Sequence, residues 1–191
     1  MLTLPSAEEA GAALILFLWV LLVSHVLTRW TYRKMVSRGT PHHVAVYYNR
    51  KIIHILAGGV VAVIVPLIFK TFTPIAALVA VLAVGNYLPH RLKKLNYWYQ
   101  VEENMYEVHF IIMWGLVMGL GFLLENIVMA VLPILFMSVG DGVTGIVRNA
   151  LFRRRTKSWW GNLAMALFCI PAGLVLHGVS GALAGALASV I

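Results

Sequence analysis

The chain has 191 residues, 61% hydrophobic and 12% charged, about half the ~25% charged residues expected of a soluble globular domain. With a mean hydropathy of +0.86, that composition excludes an ordinary soluble enzyme. At roughly 20 residues per crossing it supplies six or seven membrane helices and little more, so 1–191 is read as a single polytopic domain. The net charge of +8 would point to nucleic acid in a soluble protein. In a chain this apolar it is first tested against the positive-inside rule, which keeps Lys and Arg on cytoplasmic loops. Cys169 is the sole cysteine, which excludes a disulfide framework and a thiolate metal site.

Apolar runs bounded by charge or turn residues predict seven helices, at 10–28, 52–70, 74–90, 107–124, 126–140, 161–176 and 178–191. The first run follows Glu8 and Glu9 and precedes Arg29, Arg33, Lys34 and Arg38. A signal peptide has the opposite charge order, so the run is expected to be a retained span. The last is short and rich in Gly and Ala, which suits close helix packing in lipid. Fourteen of the fifteen basic residues fall in segments 29–51, 91–106 and 148–157, with Lys70 the exception. The expected fold is therefore an all-α integral membrane protein of about seven transmembrane helices. Its N-terminus is expected outside and its C-terminus in the cytoplasm. The +8 becomes mainly an orientation signal, with no nucleic-acid partner expected.

Chemistry-bearing residues gather on the basic side. The first cluster is Asn49-Arg50-Lys51-Ile52-Ile53-His54. Lys51, His54 and Gly58 share a helical face. They fit either an anion held at a helix N-terminus or cationic anchors that snorkel beside a packed histidine. The second is Gly140-Asp141-Gly142-Val143-Thr144-Gly145, which holds the only aspartate. A carboxylate at a membrane helix end needs water, a partner or a cation. Beside glycines it suits a Mg²⁺-bound phosphate or, alternatively, a solvated helix-terminal turn. The third is the basic stretch Arg153-Arg154-Arg155-Thr156-Lys157-Ser158-Trp159-Trp160-Gly161. Its cations suit phosphate oxygens or orientation alone, and its tryptophans suit an interfacial belt. Glu102, Glu103 and Glu107 open the fourth predicted helix. There Glu103 and Glu107, four apart, either share a cation or complement the helix dipole. Asn86, His90 and His109 lie near the same inner face and read as packing residues.

Arg50-Lys51-Ile52-Ile53-His54, Gly140-Asp141-Gly142, and Lys157-Ser158-Trp159 with Gly161 and Ala164 together resemble the polyprenol kinase family. That family takes in dolichol, phytol and CTP-dependent diacylglycerol kinases and is distantly similar to phosphatidate cytidylyltransferases. The resemblance spans roughly residues 49–166. It departs from the family pattern at Trp160, where members carry Glu, and at Arg148-Asn149, where they carry Gly-Arg. It implies an enzyme of the prokaryotic cell membrane, with its active site facing the cytoplasm. The reaction would transfer the γ-phosphate of CTP to a polyisoprenoid alcohol, giving a polyprenyl monophosphate and CDP. The implied partners are a lipid alcohol, a nucleoside triphosphate and membrane lipid, with Mg²⁺ as cofactor. The implied catalytic residues are Asp141, Lys157 and His54. Arg50, Lys51, Gly140, Gly142 and Ser158 would hold nucleotide and phosphate, and Asp141, with Glu103 and Glu107 as further candidates, the metal. The nucleotide-binding face would form from 29–54, 91–107 and 140–161. A CDP-lipid synthase is the alternative enzyme; a transporter or a non-catalytic membrane protein is the alternative outside enzymes. Transporters place ionisable groups near the bilayer midplane, whereas here they gather at one rim.

Overall fold

The computed structural model describes residues 4–152 and 158–190, and these are mostly helical with no strand. Six helical runs are long and apolar enough to cross a membrane: α1 Ala7–Ser37, α2 His42–Ile68, α3 Thr73–Arg91, α4 Tyr106–Leu123, α5 Ile127–Phe152 and α6 Trp159–Val190. The first five contain the five apolar runs expected from the sequence. The sixth contains the last two, separated by non-helical backbone at His177 and Gly178, where Gly178 takes a φ of 61°. Beyond that break the chain doubles back. Gly173 packs on Gly181 and Gly185 on Cys169, an antiparallel pairing that only side-chain-free positions permit. The returning arm, 179–190, extends roughly 18 Å at 1.5 Å per residue, short of the ~30 Å hydrocarbon core.

Several helices run past their apolar segments. Residues 28–37, 42–51 and 141–152, expected as loops and helix ends, are helical extensions of α1, α2 and α5. Charge ends an apolar run without ending the backbone hydrogen-bond ladder, and long basic side chains reach water from such a helix. α1 starts at a capping box, with Ser6 accepting from the Glu9 amide and Glu9 from that of Ser6. Glu9 also accepts the amides of Lys70 and Thr71, which ties the α2–α3 turn to the start of α1.

The core is built from all five leading helices toward the end that carries few charges. Leu16, Val65, Phe69, Ile75, Trp114, Met118, Phe122 and Ile134 are buried together there. α6 packs on the outside of α5 and leaves a long apolar face exposed, including Leu167, Val175 and Leu187. Such a surface fits lipid far better than water. At the basic end, segment 92–105 folds over the helix ends. Fully buried Asn49 donates to the carbonyls of Thr28 and Trp98 and accepts from the Thr31 hydroxyl.

Among the described residues three π-helical turns interrupt the α-helices, at Leu22–Leu27, His54–Gly59 and Phe136–Gly140. The last two pack against each other: a Cβ on Gly58 would lie 2.9 Å from Ser138 Oγ, and one on Gly59 2.7 Å from Val139 Cγ2. A π turn shifts carbonyls out of the ordinary ladder. Indole N–H groups meet two of them, Trp19 donating to Leu56 at 2.9 Å and Trp114 to Gly58 at 3.0 Å.

Candidate functional site

The facing π turns place the chemistry. His54 opens the turn in α2, and Asp141 immediately follows the turn in α5. Lys51, one turn before His54, reaches across with Nζ 2.5 Å from Asp141 Oδ2. His54 Nδ1 stands 3.6 Å from the same oxygen. The ammonium is sealed, its side chain 9% exposed, while the Asp141 side chain is 49% exposed. A buried ammonium needs a paired charge, and the Asp141 carboxylate supplies it while keeping one side open. The Lys51 ammonium also lies 5.2 Å from the centre of the Tyr47 ring, and the Arg50 guanidinium 4.5 Å from that of Tyr106.

The glycines around Asp141 are expected from the sequence to cradle phosphates, and here their open faces are filled by neighbouring helices. A Cβ on Gly142 would sit 2.6 Å from Ile55 Cγ1, and one on Gly140 2.6 Å from Cys169 Sγ. At Gly145 it would overlap the Lys51 side chain. These positions therefore let α2 and α6 close on α5, and Gly145 lets the lysine reach its carboxylate. Gly161, in the first turn of α6, likewise lies against the side chain of Arg148. Arg148 donates to Asn162 at 2.6 Å. Thr144 donates to the carbonyls of Gly140 and Gly161, closing the α5–α6 contact.

His54 stacks on Phe110, ring centres 4.0 Å apart and planes 9° from parallel. Both rings line a cavity of about 280 Å³ between α1, α2, α3 and α4. Its walls are mostly apolar, including Leu16, Val20, Ile53, Leu78 and Trp114. Ser24, His25, Asn86, Tyr99 and Glu107 bring polar atoms to it. Its volume lies at the lower edge of the roughly 300–1,000 Å³ of small-molecule pockets. His54 thus belongs both to the cavity wall and to the Asp141 cluster.

Glu107 does not join Asp141. It is buried in the first turn of α4, where Oε1 meets His90 Nε2 at 2.6 Å and accepts from Gln100 Nε2 at 2.8 Å. Glu103 is exposed in the turn before α4, which begins at Tyr106. The expected i, i+4 pairing of Glu103 with Glu107 on one helix face is therefore absent, because the helix starts after Glu103. Among the described residues no group of three or more His, Cys, Asp or Glu is placed to hold a metal. A shared Asp141, Glu103 and Glu107 site does not form.

Ser158 precedes α6, its hydroxyl 3.4 Å from the Gly161 amide. Lys157, with Arg153 to Arg155, lies outside the described residues. Trp160 is 61% exposed and Trp159 80% exposed. Sequence reasoning missed Gln100 and Tyr99. Tyr99 donates to Asn86 Oδ1 at 3.1 Å; burial and the nearby Glu107 carboxylate push its phenol well above the usual range, so it stays a donor. Their only signal is polar residues clustered with aromatics between two apolar runs, a pattern that names no partner.

Comparison of the chain with protein-family models, with curated proteins and with solved structures finds no match.

Proposed function

We propose that the protein is a membrane-embedded phosphotransferase that moves the γ-phosphate of CTP to the hydroxyl of a polyisoprenoid alcohol. The observation that carries the reading is the Lys51–Asp141 pair, exposed on the Asp141 side and joined through His54 to an apolar cavity. A water-borne donor and a lipid acceptor can meet only at such a boundary. The sequence resemblance supplies the donor and acceptor classes, and the six apolar helices support a membrane setting.

In this reading the alcohol oxygen bonds to the γ-phosphorus as the bond from that phosphorus to the β–γ bridging oxygen breaks, and CDP leaves. Such a transition state asks mainly for positioning and charge neutralisation. Lys51 fixes Asp141 and offsets phosphate charge. Arg50, beside it in sequence, adds positive charge, and the resemblance assigns Lys157 a further cationic role. His54 lies between cavity and carboxylate, where it takes the alcohol proton or orients the hydroxyl. Asp141 has carboxylate surface left for Mg²⁺, whose remaining ligands would be phosphate oxygens and water, a donor set this ion favours. Mg²⁺ would supply charge neutralisation on the phosphates. The basic rim, including residues 148–157, faces the cytoplasm in this reading, with the N-terminus outside and both ends of α6 inside.

The test is incubation of purified protein in detergent with Mg²⁺, γ-labelled CTP or ATP, and dolichol, phytol, geranylgeraniol or diacylglycerol. Label entering the lipid phase, and lost in Asp141→Ala and Lys157→Ala, is the expected result. No transfer to any alcohol, with CDP-lipid formed from a lipid phosphate, moves the protein to the cytidylyltransferases. Neither product overturns an enzymatic reading.

A further inference from the structure

Glu107 presents a buried oxygen that the protein leaves unused. Its side chain is 8% exposed and it lines the apolar cavity. Oε1 is held by His90 and Gln100, neither of which lines that cavity, whereas Oε2 is buried without a hydrogen-bond partner. A buried carboxylate oxygen without a donor is unfavourable, so an unpaired one beside a cavity marks a place for a ligand's donor.

The surrounding bonds fix which atom is free. Gln100 Oε1 accepts from the Asn96 amide, and its Nε2 donates to the Asn86 carbonyl. Because a backbone N–H only donates and a carbonyl only accepts, the orientation of the Gln100 amide is set. Gln100 therefore presents a donor to Glu107 Oε1. Nearby Asn86 is engaged in turn: its Oδ1 accepts from Tyr99 and its Nδ2 donates to the Leu82 carbonyl. Oε2 is the acceptor left over.

We propose that Glu107 Oε2 accepts a hydrogen bond from the hydroxyl of a long-chain lipid alcohol seated in this cavity. Glu107 is then a positioning residue, held by His90 and Gln100, which orients the hydroxyl group on the lipid side of His54. His54 and Glu107 line the same cavity, and Phe110, stacked on His54, is one helical turn beyond Glu107. The inference deepens the proposed function by assigning how the acceptor is recognised, and it rests on that reading only for the identity of the lipid.

The test is equilibrium binding of geranylgeraniol and of geranylgeranyl methyl ether to purified protein in detergent, without nucleotide. The ether keeps the chain and an acceptor oxygen but has no donor. Natural protein should bind the alcohol about tenfold or more tighter, since a site built to pair with a hydroxyl rejects an analogue that cannot donate. In Glu107→Gln, the donors of His90 and Gln100 should hold the new amide oxygen at the Oε1 position, leaving NH₂ at the cavity. That group donates to alcohol and ether alike, so the preference should shrink to within about threefold. Glu107→Asp, which keeps the charge and withdraws the oxygen, should weaken alcohol binding and leave ether binding unchanged. Equal binding of both ligands by natural protein overturns the proposal without any variant, and so does an unchanged preference in Glu107→Gln. Alcohol preference without phosphate transfer overturns the kinase reading and leaves this site standing.

Discussion

Two carboxylates are paired with nitrogen bases at the basic end of the protein, and their surroundings are opposite. Asp141 holds Lys51 and keeps about half of its side chain exposed; Glu107 holds His90 and is almost wholly sealed. Asp141 sits inside a helix that continues past it, while Glu107 opens α4 beneath the folded segment 92–105. A carboxylate facing water can meet a cation or a charged ligand with its hydration still available. One facing an apolar cavity meets only what arrives through the hydrocarbon. The same functional group thus stands in two different environments.

That contrast is open to direct attack. The largest expected effect is on phosphate transfer: Asp141→Asn should lower it by about 10²–10³-fold, measured with labelled CTP and geranylgeraniol. Its stability loss should be about 3–5 kcal/mol, because the sealed Lys51 ammonium is left without its paired charge. Glu107→Leu, which strands the buried donors of His90 and Gln100, should cost about 2–4 kcal/mol in unfolding experiments in detergent while lowering transfer less than Asp141→Asn. Equal losses of transfer in the two variants would erase the distinction between the sites. Gly145→Ala should cost about 1–3 kcal/mol, because the new methyl overlaps the Lys51 side chain, and should also lower transfer by displacing the lysine. Gly11→Ala supplies the smallest effect and the opposite sign. Nothing lies within 4 Å of its Cβ position, so the helix should gain roughly 0.5–1 kcal/mol.

Part of this organisation is legible in the chain itself. The apolar runs mark the helices, and the boundary expected after residue 176 falls at the His177–Gly178 break. The shared face of Lys51 and His54 follows from helical spacing alone. The helical extensions were hidden because charge marks where an apolar run stops, a different quantity from where hydrogen bonding stops. The glycines near Asp141 read as a phosphate cradle or a helix-terminal turn, and the packing face they form has no separate signal, since a cradle and a close helix contact both require a missing Cβ; only Ile55, Lys51 and Cys169 in place decide how that space is filled. Glu107 was placed beside Glu103 by assuming that the helix included both. Its true partners come from α3 and from segment 92–105, which lacks periodicity from which to read a contact.

The π turn in α2 has a consequence for rotational phase. Each residue of an α-helix advances about 100° around its axis, and a π turn accommodates an extra residue within an otherwise regular helix. His54–Gly59 therefore sets the angle between the half carrying Lys51 and the half carrying Val61, Ala62 and Val65 in the core. Winding the same residues as regular α-helix, with none removed, would turn one half by about 100° against the other. Core packing and the Lys51–Asp141 contact could not then both persist. The irregular turn works as a spacer measured in degrees.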